Sequence, residues 1–261
     1  MNTKRLFLAL LKRTRCQTVC DVGSMDGAES LDFARALPDA SVLALEANRE
    51  NYDRMMSDAR LVAAGVEVLH KAASEANGEA EFHVADVDYS STDANRGESS
   101  LLSGYSKTKR VDTVETVRLD ALLADAAAPI ALWIDVEGAA HQVVEGLEGI
   151  KDKVSLIHIE LDLVPYWPEE VPGDQTRALL KDFGFQEIAS QFYPDGPGAP
   201  GWDEQLEQSA RRSELFDSYV AEASGNVILG SSSFVAENAS AIRRSLSMAA
   251  TRATLSKVLG R

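Results

Sequence analysis

The chain has 261 residues, of which 45% are hydrophobic, and it carries a formal net charge of −15. The hydrophobic share is ordinary for a globular protein that buries a core. The acidic balance argues against a protein that binds nucleic acid, because phosphate recognition needs clustered lysine and arginine side chains.

Residues 1–17 are predicted to form a short amphipathic helix ahead of the first strand. Their apolar run, residues 6–11, is too short for a signal peptide, and Lys12-Arg13 stands where a cleavage site would follow. No stretch of the sequence approaches the roughly 18 apolar residues of a transmembrane helix. The two cysteines, Cys16 and Cys20, lack a metal-binding spacing, and we expect reduced thiols in a cytoplasmic protein.

Residues 18–232 show short apolar strands alternating with helical patterns, which is typical of an α/β domain. The predicted strands are 18–22, 41–46, 66–71, 130–135, 154–160, 185–191 and 226–230, and the predicted helices are 27–37, 48–63, 138–149 and 173–183. Two further strands, 79–84 and 114–118, are predicted to form an extra hairpin. The polar segments 86–112 and 194–225 are predicted to be insertions that act as lids or as linkers.

A glycine turn follows the first predicted strand, in the sequence Asp21-Val-Gly-Ser-Met-Asp-Gly27. Glycine lets the backbone approach a ligand closely, since a side chain there would collide with it. Glu46 ends the next strand, where an acid can accept both hydroxyls of a ribose. The third glycine of a dinucleotide fingerprint is missing, and Asp21 would repel a pyrophosphate. The pattern therefore favours a binding site for a cationic nucleoside, such as S-adenosylmethionine with its amino and sulfonium groups. The alternative is a turn with a purely structural role.

Carboxylates follow two buried strands that are predicted to be neighbours. Asp135 and Glu137 come directly after the apolar run 130–134, and the next strand ends at Glu160. Because the carboxyl ends of parallel strands meet at one edge of a sheet, these acids should converge there. They are candidates for a general base with a supporting charge, or for oxygen ligands of Mg²⁺. For Glu137, capping of the helix that follows is an equal alternative.

Two histidines lie near these acids in the sequence. His141 follows the acidic turn closely enough to reach an acceptor, although an exposed helical histidine fits the pattern equally well. His158 lies within a buried strand, which favours a core histidine with its hydrogen bonds satisfied. The four histidines of the chain show no metal-ligand spacing, so zinc is not expected.

Residues 233–261 are predicted to form a basic helix outside the sheet. Its apolar positions recur at helical spacing, at Ile242, Leu246, Ala249 and Ala253. Five basic residues accompany a single acid, Glu237. The apolar face needs a partner surface, so we expect the helix to dock on the acidic body or on a second copy of the chain. A role at a membrane surface is the alternative.

In combination, these stretches resemble the FkbM family of S-adenosylmethionine-dependent methyltransferases. The similar segments, in the family's order from about residue 18 to 230, are 21–27, 45–48, 97–101, 117–120, 134–138, 158–160 and 184–185. Three positions, Ser24, Ala47 and Ala140, depart from the family's usual form. The first two leave the cofactor site intact, whereas Ala140 removes a candidate acid, and no role is assigned to it.

The resemblance implies a Rossmann-like class I methyltransferase fold, with a seven-stranded, mostly parallel sheet, helices on both faces, an extra hairpin and a C-terminal helix. It implies S-adenosylmethionine as cofactor, and a hydroxyl acceptor on a sugar, a polysaccharide component or a secondary metabolite. The adenine ring is expected against a loop after the third strand. The expected cofactor-binding residues are Asp21, Gly23, Ser24, Gly27, Glu46, Ala47, Ala72, Ala73 and Asp135. The catalytic candidates are Asp135, Glu160 and His141, and the ligands of a divalent ion, if one is used, are Asp135, Glu137 and Glu160.

Two alternatives remain open at this stage. An NAD-dependent oxidoreductase or epimerase shares the layered architecture, but the chain lacks the third glycine. Tyr105 and Lys109 have the Tyr-x-x-x-Lys spacing, yet they lie in a polar loop where no helix would hold them together. A non-catalytic methyltransferase-like scaffold is disfavoured by the intact glycine turn and by Glu46. Binding of S-adenosylmethionine and of NAD would separate these readings.

Overall fold

The computed structural model describes residues 3–86, 99–104, 108–193 and 224–259, without the side chains of residues 191–193, 224 and 247–259. Most of both predicted insertions, with Tyr105, lies outside the described residues. The strands are β1 (Thr18–Val22), β2 (Ser41–Leu45), β3 (Glu67–Leu69), β4 (Ala72–Ala73), β5 (Gly78–Ala85), β6 (Thr108–Val117), β7 (Ile130–Ile134), β8 (Val154–Asp162), β9 (Phe185–Tyr193) and β10 (Ser224–Ser231). The helices are α1 (Thr3–Thr14), α2 (Ala28–Ala36), α3 (Arg49–Ser57), α4 (Ala59–Ala63), α5 (Leu119–Leu122), α6 (Ala140–Glu145), α7 (Gly173–Asp182) and α8 (Ser232–Leu259), and a 3₁₀ turn covers Glu148–Lys153.

Seven of the described strands form the main sheet, in the order β3-β2-β1-β7-β8-β10-β9. The pairs that β1 makes with β2 and β7 are parallel, as are β2–β3 and β7–β8, whereas β10 is antiparallel to both its neighbours. The predicted α/β fold with a mostly parallel sheet is therefore confirmed. The chain moves outward from β1 to β3 and then returns to β7 on the other side of β1. This reversal opens a crevice at the carboxyl ends of β1 and β7.

The central strands β1 and β7 are buried at every position, as expected where helices cover both faces of a parallel sheet. Alternate residues therefore enter different cores. Cys20 and Leu132 pack with α6 and the 3₁₀ turn, whereas Val19 and Ala131 pack on the opposite face with Phe7 of α1. Both cores are apolar, so they hold the strand ends of the crevice in fixed positions.

A second, smaller sheet has the order β4-β6-β5 and contains the predicted hairpin, in which β5 pairs antiparallel with β6. The hairpin strand predicted at 114–118 begins earlier, at Thr108. Ala72 and Ala73 were expected in a loop, but they form β4 and pair in parallel with Thr116 and Val117. That expectation was wrong because a two-residue strand has no periodicity, and its partner lies more than 40 positions away in the sequence.

The helix predicted over 48–63 divides into α3 and α4 at Asp58. The backbone of Asp58 is extended, and its side chain accepts a hydrogen bond from the N–H of Arg60 at 2.8 Å. An aspartate that caps a helix in this way starts a new helix, because it satisfies an N–H group that would otherwise lack a partner. The helix predicted from 138 begins instead at Ala140.

The C-terminal helix α8 starts at Ser232, one residue before the predicted 233, and packs on α1 and on β8, β9 and β10. Ile242 is buried in the same core cluster as Phe7 and Leu10 of α1, with Leu246 partly buried beside it. Arg243 and Arg244 are exposed. The apolar face of this part of the helix therefore docks on the body of the same chain. In the part of the chain that the structure describes, helices are too short or too polar to cross a bilayer.

Candidate cofactor and methyl-transfer site

A cavity of about 330 Å³ opens at the carboxyl ends of β1, β2 and β7. The residues that line it are Asp21–Met25, Glu29, Leu45–Asn48, Asn51, Lys71–Ala73, Phe82, Ser99–Leu101, Trp133, Asp135–Glu137 and Ala139. All the predicted cofactor-binding residues except Gly27 are in this wall. Of the three catalytic candidates, Asp135 lies in the wall, whereas Glu160 and His141 do not.

The turn after β1 touches the turn after β7. Gly23 has a φ of +87°, its N–H donates to the carbonyl oxygen of Leu45 at 3.0 Å, and a Cβ built on it would lie 2.0 Å from the carbonyl oxygen of Asp135. The N–H of Asp135 in turn donates to the carbonyl oxygen of Val22 at 2.9 Å. Only glycine accommodates both the left-handed backbone and this close approach. The glycine therefore brings the two loops together at the base of the cavity.

Gly27 lies outside the cavity wall and packs against neighbouring helices. A Cβ on Gly27 would lie 2.7 Å from a methyl carbon of Leu61 and 3.2 Å from the terminal methyl of Met55. Gly27 precedes α2, and its contacts are with α3 and α4. In the structure, this glycine allows α2 to pack closely on its neighbours.

The Glu46 carboxylate is held in place by backbone N–H groups. One oxygen accepts from Met25 at 2.7 Å and the other from Asn48 at 2.6 Å. Burial raises the pKa of Glu46 to about 7, although these two N–H groups and the Asn51 side chain act in the opposite direction. A carboxylate has about four lone-pair sites, so each oxygen retains capacity for a hydroxyl donor from a ligand.

Asp21 is 1% exposed and lies at the inner end of the cavity. Ser30 donates to its Oδ2 at 2.5 Å, whereas Oδ1 has no hydrogen-bond partner within the described residues. Burial and the negative charges of Glu29 and Asp135 together raise the pKa of Asp21 to about 7, and the Ser30 hydrogen bond acts in the opposite direction. A buried polar atom without a partner is unusual, and one on a cavity wall is a candidate ligand contact.

The opposite wall of the cavity is largely apolar and comes from the small sheet. Ala72, Ala73, Phe82 and Leu101 line it, and the first two have the small side chains expected for the adenine end. Lys71 also lines the cavity, and its ammonium is paired with the Glu115 carboxylate on β6. The apolar surface suits a flat ring.

Asp135 and Glu160 are hydrogen-bonded to each other through their side chains. Burial, together with the adjacent carboxylate of Asp135, raises the pKa of Glu160 far above its usual range. Two ionised carboxylates cannot share a hydrogen bond, because both would be acceptors. Glu160 therefore keeps its proton and donates the hydrogen bond, which the Asp135 carboxyl group on the cavity wall accepts.

A second carboxyl pair lies two residues further along β8. Asp162 is hydrogen-bonded to Glu170, whose pKa burial raises well above its usual range. The same Glu170 carboxylate accepts the N–H of Tyr166 at 2.6 Å. The ring of Trp167 lies against Gly138, where a Cβ would approach to 2.6 Å. This pair therefore fixes the segment that packs on the turn after β7.

The segment Ser99–Leu101 closes the cavity from the side of the small sheet. Ser100 donates to the carbonyl oxygen of Glu137 at 2.5 Å and accepts the N–H of Leu102 at 2.9 Å. Ser99 accepts the N–H of Ala85 at 3.1 Å. Both serines lie in the segment 97–101 that resembles the family, but the sequence indicates no role for them. Only the folded hairpin brings this segment next to Glu137.

Neither histidine lies on the cavity wall. The Nδ1 atom of His141 is 3.1 Å from the Thr176 hydroxyl of α7. His158 stacks on Trp133 with ring centroids 3.5 Å apart, and within the described residues neither ring nitrogen has a hydrogen-bond partner. Burial lowers the pKa of His158 to about 3, so this ring is neutral. His158 is a core residue, as predicted. The prediction that its hydrogen bonds would be satisfied is not met by the described residues.

The structure brings together residues that the sequence did not connect with the site. They are Met25, Glu29, Asn48, Asn51, Lys71, Phe82, Ser99, Ser100 and Leu101. Glu29 had the clearest signal, since it lies in the first turn of the helix that follows the glycine turn. Among the described residues, no group of three or more histidine, cysteine, aspartate or glutamate side chains is arranged to hold a metal ion.

Comparison with known proteins gives a family match and several distant structural similarities. The chain is similar to the O-methyltransferase TomG of Streptomyces achromogenes, with 12% identity, 88% of this chain and 79% of that chain covered, and a TM-score of 0.43. The chain is also similar to an O-methyltransferase from Bacillus cereus, with 13% identity, 88% of this chain and 81% of that chain covered, and a TM-score of 0.43. No curated protein matches the sequence significantly. The family model described as the methyltransferase FkbM domain matches residues 21–187, a range that contains every residue of the cavity wall.

Proposed function

Since the chain belongs to the FkbM family of S-adenosylmethionine-dependent methyltransferases, we propose that it methylates a hydroxyl group on a sugar, a polysaccharide component or a secondary metabolite. The observation that carries the hydroxyl assignment is the Asp135–Glu160 pair. A hydroxyl acceptor must lose its proton as the methyl group arrives, and the Asp135 carboxyl group lies on the cavity wall with a free lone pair to take it.

Three features of the cavity fit S-adenosylmethionine. The free Oδ1 of Asp21 suits a cationic group of the cofactor, and the oriented carboxylate of Glu46 suits the two ribose hydroxyls. Gly23 lets the turn after β7 lie against the turn after β1, so that Asp135 reaches the same cavity. When bound, the cofactor supplies a methyl group activated by a sulfonium. The residues of this chain bind and orient the two reactants.

In the proposed reaction Asp135 accepts the proton of the acceptor hydroxyl while the oxygen–methyl bond forms and the sulfur–methyl bond breaks. The products are a methyl ether, S-adenosylhomocysteine and one proton, which then passes to solvent. Glu160 keeps Asp135 in position through its hydrogen bond and carries no charge itself. Holding acceptor and donor in line lowers the barrier by several kcal/mol, and a general base adds about 10²–10⁴-fold.

A divalent cation and His141 are the competing assignments for this step. Asp135, Glu137 and Glu160 carry the oxygen atoms that Mg²⁺ prefers, although within the described residues they are not arranged as a metal-binding group. If such an ion is used, turnover should be lost with a chelator and restored by Mg²⁺. If His141 is the base, its replacement by glutamine should reduce turnover as strongly as Asp135→Asn does.

Calorimetry with S-adenosylmethionine, S-adenosylhomocysteine and NAD tests the cofactor assignment first. We expect binding of the first two and none of NAD. Transfer of a labelled methyl group is then measured on neutral sugars, oligosaccharides, hydroxylated metabolites and amine-bearing analogues, with RNA as a non-substrate control. Methyl ethers on the hydroxyl acceptors support the proposal. Exclusive labelling of amines, or binding without transfer to any acceptor, would contradict it.

A further inference from the structure

Glu29 connects the cavity wall to the N-terminal helix. It lies in the first turn of α2, and its Oε1 accepts a hydrogen bond from the Lys4 ammonium of α1 at 2.8 Å. The same ammonium is 2.9 Å from Oδ2 of Asp32, which is not part of the wall. The side chains of Lys4 and Glu29 are 34% and 30% exposed, so the pair lies at the edge of the cavity rather than on open surface. Lys4 is outside the range matched by the family.

Three carboxylates form one negative region of the cavity wall: Asp21, Glu29 and Asp135. Glu29 and Asp135 both affect the titration of Asp21, whose pKa burial raises and their charges raise further. The Oδ1 atom of Asp21 is buried without a partner within the described residues. A buried acceptor beside two further carboxylates favours a bound cation, because an unpaired buried polar group is costly.

Lys4 supplies the nearest described positive charge to Glu29, and it does so from outside the cavity wall. Partial burial disfavours its charged form, but the hydrogen bonds and charges of Glu29 and Asp32 outweigh this and raise its pKa. The ammonium therefore remains charged at neutral pH. It partly compensates Glu29, and it holds the carboxylate at the edge of the cavity.

We propose that Glu29 is a binding residue for the cationic end of S-adenosylmethionine and that Lys4 is its positioning residue. S-adenosylmethionine carries one more positive charge than S-adenosylhomocysteine, so negative charge at this wall favours the cofactor over the by-product. Lys4 limits that preference by compensating Glu29. The N-terminal helix is thereby part of the cofactor site. This inference rests on S-adenosylmethionine being the methyl donor.

The experiment measures Kd for both ligands by calorimetry at low ionic strength. Glu29→Gln should raise the Kd of S-adenosylmethionine by about 3–10-fold and the Kd of S-adenosylhomocysteine by less than about 2-fold. These changes are those expected for the loss of one partly screened charge interaction. Lys4→Met should raise the ratio of the by-product's Kd to the cofactor's Kd by about 2–5-fold, in line with the small energies of partly exposed ion pairs. Lys4→Arg should restore the wild-type ratio.

Two controls separate this charge effect from a structural one. Asp32→Asn removes a partner of the same Lys4 ammonium but no charge from the wall, so it should leave the ratio unchanged. In the Glu29→Gln background, Lys4→Met should no longer alter the ratio. The inference would be overturned if Glu29→Gln weakened the binding of both ligands equally. It would also be overturned if Lys4→Met lowered the ratio of the by-product's Kd to the cofactor's Kd. Failure of the wild-type protein to bind S-adenosylmethionine would instead overturn the assigned methyl donor.

Discussion

A methyl group on Gly23 would lie 2.0 Å from the backbone carbonyl oxygen of Asp135. The two residues follow strands β1 and β7, which are neighbours in the sheet although they are more than 100 positions apart in the chain. Their contact brings the turns after β1 and β7 to the same cavity. The shape of this cavity therefore depends on the absence of a side chain at Gly23.

Gly23→Ala is expected to be much more damaging than the same change at Gly65. Both glycines have a positive φ, of +87° and +70°, so both alanine variants pay the left-handed backbone strain of about 1–2 kcal/mol. Only Gly23 adds a clash, because nothing lies within 4 Å of a Cβ at Gly65. We expect an additional loss of about 1–3 kcal/mol in unfolding free energy for Gly23→Ala, from urea titration. Equal losses in the two variants would show that the loops separate without strain.

Asp21→Asn should change how stability depends on pH. The pKa of Asp21 is raised to about 7 by burial, so the folded protein binds a proton that the unfolded chain releases near pH 4. The stability from this group is fully present below pH 4 and is lost as pH rises towards 7. Relative to wild type, Asp21→Asn should gain roughly 2–4 kcal/mol in unfolding free energy between pH 4 and 8. Asp39→Asn, at an exposed position, controls for net charge. A constant difference between Asp21→Asn and wild type across this range would mean that Asp21 titrates normally.

Glu46→Ala should weaken binding of S-adenosylmethionine and of S-adenosylhomocysteine to the same extent. A carboxylate that accepts two hydroxyls forms charge-assisted hydrogen bonds, and we expect a loss of about 1.5–3 kcal/mol for either ligand by calorimetry. Adenosine alone should lose a similar amount, because the ribose is common to all three. An unchanged adenosine Kd would place the ribose elsewhere in the cavity.

At saturating cofactor, Asp135→Asn should reduce turnover by about 10²–10⁴-fold, because it retains the shape of the side chain but removes the base. Glu160→Leu should also reduce turnover strongly, because it removes the hydrogen bond that positions Asp135, whereas Glu160→Gln keeps a neutral donor and should be milder. The double variant Asp135→Asn/Glu160→Leu should be little worse than Asp135→Asn alone, since the pair acts as a unit. His141→Gln should reduce turnover by less than about 10-fold, because its ring contacts Thr176 outside the cavity wall. A double carboxylate variant with near wild-type turnover would remove both acids from the mechanism.

Ile242→Asp should destabilise the protein through the contact between α8 and the rest of the chain. The side chain is 7% exposed within the core cluster that contains Phe7, so an unpaired carboxylate there should lower the unfolding free energy by about 3 kcal/mol or more. Arg243→Ala, at the exposed neighbouring position, should have little effect. Molar mass from light scattering, measured on wild type and Ile242→Asp, tests whether α8 also joins two copies. A stable Ile242→Asp variant would show that the helix does not dock as described.

The elements of the fold that could be predicted from the sequence are those with a local signal. Strand β7 is a continuous apolar run, β1 carries the apolar residues Val19, Cys20 and Val22, and the glycine turn and Glu46 stand directly at strand ends. The alternation of strands and helices then limits the topology to a few arrangements. Position at the end of a parallel strand is enough to place Asp21, Glu46 and Asp135 at one edge of the sheet.

The roles of other residues depend on contacts between distant parts of the chain. The Ser100–Glu137 bond joins residues 37 positions apart, and the Lys4–Glu29 pair joins residues 25 apart. A hydrogen bond of this kind leaves no spacing in the sequence, because it forms only after separate elements have packed.

Hydrophobic pattern and strand-end residues thus determined the architecture and the position of the cofactor edge in this protein. Three features were decided by the tertiary structure alone. Gly27 packs on Leu61, Glu160 is protonated rather than charged, and Lys4 of α1 contacts the cavity-wall residue Glu29. The physical reason is that burial and charge coupling are properties of the assembled surroundings of a side chain, whereas periodicity is a property of the sequence itself.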